Sequence, residues 1–214
     1  MHARRPNEVD PVPLLLEAWS RGVFPMADGR HGRVSFYEAD PRSVLPLTDG
    51  GLRVSRSLRS LVRSGRFEVR SDTAFGAVVR ACADQEREGS WINGWIIDAY
   101  DRLHAAGHAH SVEAYLGGEL AGGLYGVHIG GVFFGESMFT RRERGASGAS
   151  KVCLVHLWDH LRRRGFSMLD TQFANDHMRR FGIVEVPLPE FRVALAAALR
   201  RPACWGPFEA APPR

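Results

Sequence analysis

Apolar positions in the first half of the chain recur at helical spacing. Leu14, Leu15, Ala18 and Trp19 follow Asp10-Pro11, an N-cap with proline in the first turn, and Gly22 closes that helix. Residues 27–33 are a polar loop, and Val34–Tyr37 and Val44–Leu47 are short strand candidates around an Asp40-Pro41-Arg42 turn. Ser55–Val62 predicts a short helix with Leu58, Leu61 and Val62 on one side and Arg56, Arg59 and Arg63 on the other. After a strand at Phe67–Arg70, Asp72 is expected to cap a helix running to about Gln85, with Phe75, Val78, Val79 and Cys82 at helical spacing. A further helix is predicted from about Trp95 to Ala106, ending at Gly107.

From Ala109 the pattern becomes strand-like. Ala109–Leu116, Glu119–Ile129 and Val132–Phe139 are joined by Gly117-Gly118 and Gly130-Gly131, the pattern of an antiparallel meander. A loop at 141–148 leads into a long helix from about Ser150 to Arg164. A strand at Phe166–Thr171, a short helix near Asp176–Phe181, a strand at Ile183–Val186 and a helix at Pro189–Leu199 complete the order, followed by a proline-rich tail expected to be loose. The chain divides into a small basic part, residues 1–66, and an α/β part, residues 67–214.

Composition narrows the classes. With 214 residues, 44% of them hydrophobic, the chain buries a sizeable core without staples. No apolar run nears the roughly 18–20 residues of a spanning helix, so no membrane partner is expected. The first ten residues carry Arg4, Arg5, Glu8 and Asp10 and no apolar stretch, which speaks against a signal peptide. Cys82, Cys153 and Cys204 are odd in number and far apart, so neither a disulfide framework nor a cysteine metal site is expected. A cytoplasmic protein with reduced thiols follows.

Charge is uneven. Residues 51–70 hold six arginines (Arg53, Arg56, Arg59, Arg63, Arg66, Arg70) against Glu68, in a chain whose net charge is only +4. Such a one-signed face is either simply solvated or a contact for a phosphate backbone. Of the 28 basic residues only Lys151 is a lysine. It falls in the first turn of the long helix, where the dipole disfavours a cation unless an anion or a carboxylate is near. The preceding small-residue loop suits either a phosphate or mere flexibility.

Two acids stand out. Glu136 lies in Phe133-Phe134-Gly135-Glu136-Ser137-Met138-Phe139, where a carboxylate is either on an exposed edge or lines a pocket. Asp170 and Gln172, two apart at a strand end, are predicted to point to one face. A site there competes with a capping role for Asp170. Trp91 is either partial core or a base-stacking platform. His104, His108 and His110, with Glu113 beyond, favour capping and hydrogen bonding over a metal, because Gly107 interrupts them.

Taken in order, Gly22-Val23-Phe24-Pro25, Asp40-Pro41-Arg42, Ser90-Trp91-Ile92, Tyr100 with Leu103-His104, the run Gly107–Glu113, Gly122–Val127, Phe134–Phe139, Ala149-Ser150-Lys151 and Leu169–Gln172 make one string. It resembles the leucyl/phenylalanyl-tRNA–protein transferases over about residues 14–199. The resemblance implies an α+β fold: a C-terminal N-acetyltransferase-like (GNAT) domain, with a central, mostly antiparallel sheet flanked by helices, and a smaller N-terminal domain. It implies an aminoacyltransferase that moves Leu, Phe or, less well, Met from its tRNA to proteins beginning with Arg or Lys, marking them for degradation. No metal or small cofactor is implied, and a monomer is expected.

It further implies Asp170, Gln172 and Glu136 as the catalytic set, Asp170 orienting the acceptor amine first and acting as a base second. Leu124, Phe133, Met138, Leu154 and Leu169 would form the aminoacyl side-chain pocket. In a regular strand Phe133 and Met138 face opposite sides, so that pocket requires a bulge. Trp91 and Met26 would meet the terminal adenosine, with Arg53, Arg56, Arg59, Arg63 and Lys151 on the tRNA. Met26 stands where the family often has an aromatic, and Phe36-Tyr37 where it has Trp-Trp. The alternatives are a coenzyme A-dependent acetyltransferase and a non-enzymatic RNA-binding module.

Overall fold

The computed structural model describes residues 10–84 and 91–210. Ser90 and the end of the helix expected to reach Gln85 lie outside them. Helix α1 (Pro11–Ser20) starts as its cap predicts, with Asp10 Oδ1 accepting from Val12 N at 3.1 Å. It is followed by a hairpin, β1 (Phe24–Ala27) and β2 (Val34–Tyr37), paired from Phe24↔Tyr37 to Ala27↔Val34. Only β2 was legible, because Pro25 sits inside β1 and masks its pattern.

Strand β3 (Arg42–Leu45) and helix α2 (Arg56–Arg63) follow. Then come β4 (Glu68–Ser71), α3 (Phe75–Ala83) and α4 (Gly94–Ala105). The meander is β5 (Ala109–Leu116), β6 (Glu119–Ile129) and β7 (Val132–Thr140). Helix α5 (Ala149–Arg163), β8 (Met168–Gln172), α6 (Asp176–Arg179), β9 (Val184–Val186) and α7 (Leu188–Leu199) close the order. No helix of the described residues is long and apolar enough to cross a membrane.

Seven strands form one sheet in the order β4-β5-β6-β7-β8-β3-β9. Every pairing is antiparallel except β7 with β8. Strand β3, from the first 66 residues, lies between β8 and β9, inside the sheet that the rest of the chain builds. Side-chain alternation gives the sheet two apolar faces. One carries Tyr125, Val127 and Phe134 under α1, α3, α4 and α7; the other carries Leu124, Phe133 and Leu169 under α2 and α5. The architecture is therefore α+β, with helices on both sides of a mostly antiparallel sheet.

Two expectations change here. Asp72 does not cap α3: it has φ 58°, and its carboxylate accepts from Ser111 N at 2.8 Å and faces His110 Nδ1 at 2.8 Å. The segment leading into α3 is instead held by Glu113 on β5, which accepts from Thr73 N and Ala74 N, each at 3.3 Å. Nor is all of the tail loose. Trp205 is buried, stacks on His110 at 4.3 Å and donates Nε1–H to Ser71 Oγ at 3.2 Å.

Strands β7 and β8 pair only at Val132↔Met168, Phe133↔Leu169 and Phe134↔Asp170. Beyond those pairs they part. The gap is set by a bulge in β7: Gly126 pairs with Gly135 and Tyr125 with Ser137, so Glu136 is the extra residue. Gly126 is required opposite the bulge, because a Cβ there would overlap the Phe134 carbonyl and the Phe133 ring.

Candidate active site

The parting strands enclose a cleft of about 830 Å³. Glu136 and Gln172 sit on its opposing walls, and Leu124, Met138 and Leu154 line its apolar part. Phe173, at the mouth, is half exposed and meets Phe24 edge-on at 5.4 Å.

The bulge brings Glu136 into this cleft and buries its Oε1. Burial pushes its carboxyl up to about 8, and the Asp170 charge adds to that. The Tyr100 hydroxyl, the Arg42 charge and the Trp19 indole pull the other way. Yet neither Tyr100 nor Trp19 meets the carboxyl in full hydrogen-bond geometry. Among the described residues Glu136 Oε1, Tyr100 Oη, Trp19 Nε1 and Gln172 Nε2 are all buried without a hydrogen-bond partner. Such concentrated unsatisfied polarity is uncommon in a core and common at sites that await a ligand.

Asp170 stands differently. It is fully buried, with Arg42 Nε donating to Oδ1 at 2.9 Å and Arg42 Nη2 to Oδ2 at 2.6 Å. Arg42 is fully buried as well. Its guanidinium lies 4.8 Å from the Phe24 ring centre and 4.9 Å from that of Phe191, and Nη1 donates to Gly22 O at 2.8 Å. Asp170 Oδ1 also accepts from Gln172 N at 3.0 Å. Gln172 has φ 54°, so it leaves the strand's alternation. The expected common face of Asp170 and Gln172 is not formed: Gln172 lines the cleft and Asp170 anchors it from behind. Arg42 was missed as a site-building residue. Its signal was an arginine opening a short apolar strand, the same anomaly that marked Glu136.

The bulge required by Phe133 and Met138 is present, and both side chains lie on the α5 face. Phe133 and Leu169 nevertheless do not line the cleft. Both are fully buried core, Phe133 packed 5.4 Å from Trp205, because the strands are still paired at their level.

Trp91 packs on the core under α3 and α4 and also lines the cleft, and its carbonyl accepts from Ala27 N at 3.0 Å. Met26 packs on that core away from the cleft lining, held in the β1–β2 hairpin. Lys151 lines the cleft but makes no ion pair with Glu136, so the carboxylate alternative for it falls. Arg56, Arg59 and Arg63 are exposed on α2 and without an ion pair among the described residues. Arg53 and Lys151 line a second cavity of about 410 Å³ beside the cleft. Arg66 donates to Gly145 O at 2.9 Å, and Arg70 is paired with Glu68.

Of the three histidines, His104 and His110 form ring hydrogen bonds, whereas His108 Nδ1 is buried without a hydrogen-bond partner among the described residues. His104 Nδ1 meets Ala109 O at 2.8 Å, and His110 bridges Asp72 to His128 Nδ1, the latter at 3.1 Å. Asp72, His104 and His110 bring possible ligand atoms within 4.8 Å of one another. Within that group Asp72 and His110 are directly hydrogen-bonded at 2.8 Å.

A family model described as Leucyl/phenylalanyl-tRNA protein transferase matches residues 44–196. The chain is similar to proteins of that name from Gloeobacter violaceus, 51% identical over 189 residues (88% of this chain, 94% of that one), and Rubrobacter xylanophilus, 55% identical over 188 residues (87% and 94%). A third, from Salinibacter ruber, is 47% identical over 203 residues, 95% of this chain and 86% of that one. Among solved structures, a tandem GNAT protein from the clavulanic acid biosynthesis pathway superposes with a TM-score of 0.42 at 15% identity, over 86% of this chain and 59% of that chain. That likeness is too loose to carry an argument.

Proposed function

Because the chain belongs to the leucyl/phenylalanyl-tRNA–protein transferases, a family of aminoacyltransferases, we propose that it moves Phe, Leu and, less well, Met from aminoacyl-tRNA to the α-amine of proteins beginning with Arg or Lys. The product is marked for degradation, and the enzyme works in the cytoplasm as a monomer. The observation that carries this reading is a cleft with an apolar part at Leu124, Met138 and Leu154 and with Glu136 and Gln172 on facing walls.

The donor's unbranched apolar side chain fills the apolar part, and Met138 adapts it to Leu, Phe or Met. Trp91 stacks on the terminal adenine, with Met26 behind it in the hairpin. An acceptor with Arg or Lys at its N-terminus brings two positive charges, which favour the ionised form of the Glu136 carboxyl they face. Its pKa of about 8 matches that of an α-amine, so it takes a proton from the ammonium at little cost. The freed amine attacks the ester carbonyl carbon, the bond to the ribose oxygen breaks, and that oxygen leaves with a proton. Gln172 donates to and accepts from the reacting groups. Asp170, neutralised by Arg42, orients the backbone of Gln172 and so acts as a positioning residue. Much of the rate comes from proximity, since the ester is already activated.

The test is to offer labelled leucyl-tRNA and labelled acetyl-coenzyme A with an Arg-started peptide. Label is expected to move from the tRNA only. Transfer from acetyl-coenzyme A alone would establish the acetyltransferase alternative, and binding of tRNA with no transfer the RNA-binding one.

A further inference from the structure

Beside the cleft, the second cavity sets three cations and several hydroxyls against an apolar part formed by Leu58, Leu61 and Phe181. Arg53 enters from the segment before α2, Lys151 from the first turn of α5 and Arg180 from the end of α6. Ser55 and Ser57, at the start of α2, add hydroxyls, and no carboxylate lines the space. None of the three cations has an ion pair among the described residues. Arg179, next to Arg180, is by contrast bonded to Glu185, and Arg162 and Arg163 on α5 are paired as well. Three cations lining one cavity that holds no carboxylate mark a place suited to an external anion.

Two helix beginnings reinforce the field. Ser55 caps α2, and Gly148, with φ 89°, is the N-cap of α5 and offers it no side-chain oxygen. A Cβ on Gly148 would come within 2.7 Å of Leu61 Cδ2, so α2 packs directly on the start of α5 and holds the two together. The cavity is also continuous with the cleft, since Ser147, Gly148, Lys151 and His177 line both. The exposed Arg56, Arg59 and Arg63 belong to α2, the same helix whose Ser57, Leu58 and Leu61 line the cavity.

We propose that this cavity is a phosphodiester site, which holds the sugar-phosphate backbone of the donor RNA's single-stranded 3′ end as it leaves the cleft toward α2. The inference rests on the aminoacyl-tRNA reading above for the identity of the RNA, and on the cavity itself for the phosphate. It assigns Arg53, Arg180 and Lys151 to one subsite. The arginines of α2 then contact the backbone further along.

The experiment compares binding of adenosine with that of the dinucleotide cytidylyl-(3′→5′)-adenosine, which adds a cytidine and one phosphodiester, and with its uncharged methylphosphonate analogue, which keeps the cytidine and is expected to lose the gain, by competition against a fluorescent analogue. The wild type is expected to bind the dinucleotide roughly tenfold more tightly, the worth of a charge-assisted hydrogen bond or two, with a gain that shrinks as salt rises. Arg53→Gln combined with Arg180→Gln is expected to bring the ratio near one. Both residues are exposed and unpaired, so the fold is not at stake. Ser57→Asp, which removes no arginine, is expected to lower the ratio too by placing a negative charge at the cavity. A wild-type ratio of one, or a ratio that survives these variants, overturns the site. So does coenzyme A binding more tightly than the dinucleotide through the same residues. Transfer of phenylalanine from phenylalanyl-adenosine is measured in parallel: its absence would fall on the function proposed above, while the binding ratio stands or falls by itself.

Discussion

Glu113 and Glu136 each bury a carboxyl oxygen in the meander's strands, two strands apart, and their surroundings are opposite. Glu113 on β5 is fully buried and accepts from Thr73 N, Thr73 Oγ1, Ala74 N and Ser111 Oγ, at 2.6–3.3 Å. Its neighbours Asp72, His110 and His128 are likewise hydrogen-bonded to one another. Glu136 on β7 has a buried oxygen with no partner, beside a tyrosine hydroxyl, an indole and a glutamine amide that also lack one. A carboxylate given a full set of donors fastens one element to another. One denied them keeps a proton it can exchange. Saturation, rather than burial, therefore separates the acid that holds the fold from the acid available for chemistry. By that standard Asp170 belongs with Glu113 although it lies near the cleft.

The largest effect expected from this contrast is at Asp170. Asp170→Asn leaves the Arg42 guanidinium buried between two aromatic rings without a counter-ion, and breaking a buried pair costs about 3–5 kcal/mol. Denaturant melts should show that loss, with any fall in transfer tracking the unfolded fraction. A variant as stable as wild type but inactive would return Asp170 to direct chemistry and break the division. Glu113→Gln comes next. It exchanges charge-assisted bonds for neutral ones and sets an amide against backbone donors, a loss of roughly 1.5–3 kcal/mol. Transfer measured well below its melting temperature should be near normal.

Much of this was legible in the sequence. The apolar periods predicted every strand of the large sheet within a few residues, and a carboxylate among phenylalanines singled out Glu136. What escaped were features made by distant partners. Strand β3 closes the sheet against β8 and β9, and no local pattern announces a strand's neighbours. Asp72 looked like a cap, but it lies two residues before the N-cap of α3, its carboxylate is turned to Ser111 and His110, and Glu113, some forty residues on, took the task. Asp170 and Gln172 were placed on one face by counting, which fails where one of them turns left-handed. Phe133 and Leu169 have the right chemistry for a pocket, but the cleft opens only beyond their pairing.

Glu136→Gln should behave in the opposite way to Glu113→Gln: folded, with transfer reduced about tenfold or more, roughly 1.4 kcal/mol of barrier. Its stability carries a sign. The native carboxyl, pushed up to about 8 from 4.5, binds its proton more tightly than the unfolded chain does. Ionisation is therefore resisted by the fold, and this group's contribution to stability falls as pH rises from about 4.5 to about 8, then levels. The variant has no such penalty. Relative to wild type it should gain stability across that window, by at most about 1.4 kcal/mol per pH unit. Melts at about pH 5 and pH 8 decide the matter: a variant that is less stable than wild type at both would make Glu136 a second Glu113.

The smallest change sharpens the contrast furthest. Tyr100 is fully buried, its hydroxyl lacks a partner, and it helps to hold the Glu136 pKa down. Tyr100→Phe removes an oxygen that secures nothing else, so stability should stay within about 0.5 kcal/mol, as for the loss of a group with no bond to break. Removing that partial support should raise the Glu136 pKa further. If Glu136 accepts the proton of the acceptor amine, the alkaline rise in transfer should move to higher pH while its plateau is kept. Lost stability with an unmoved profile would mean that the hydroxyl is a satisfied structural group. An unmoved profile in a stable variant would mean that Glu136 does not set the pH dependence, leaving proton removal to the ribose oxygen of the donor.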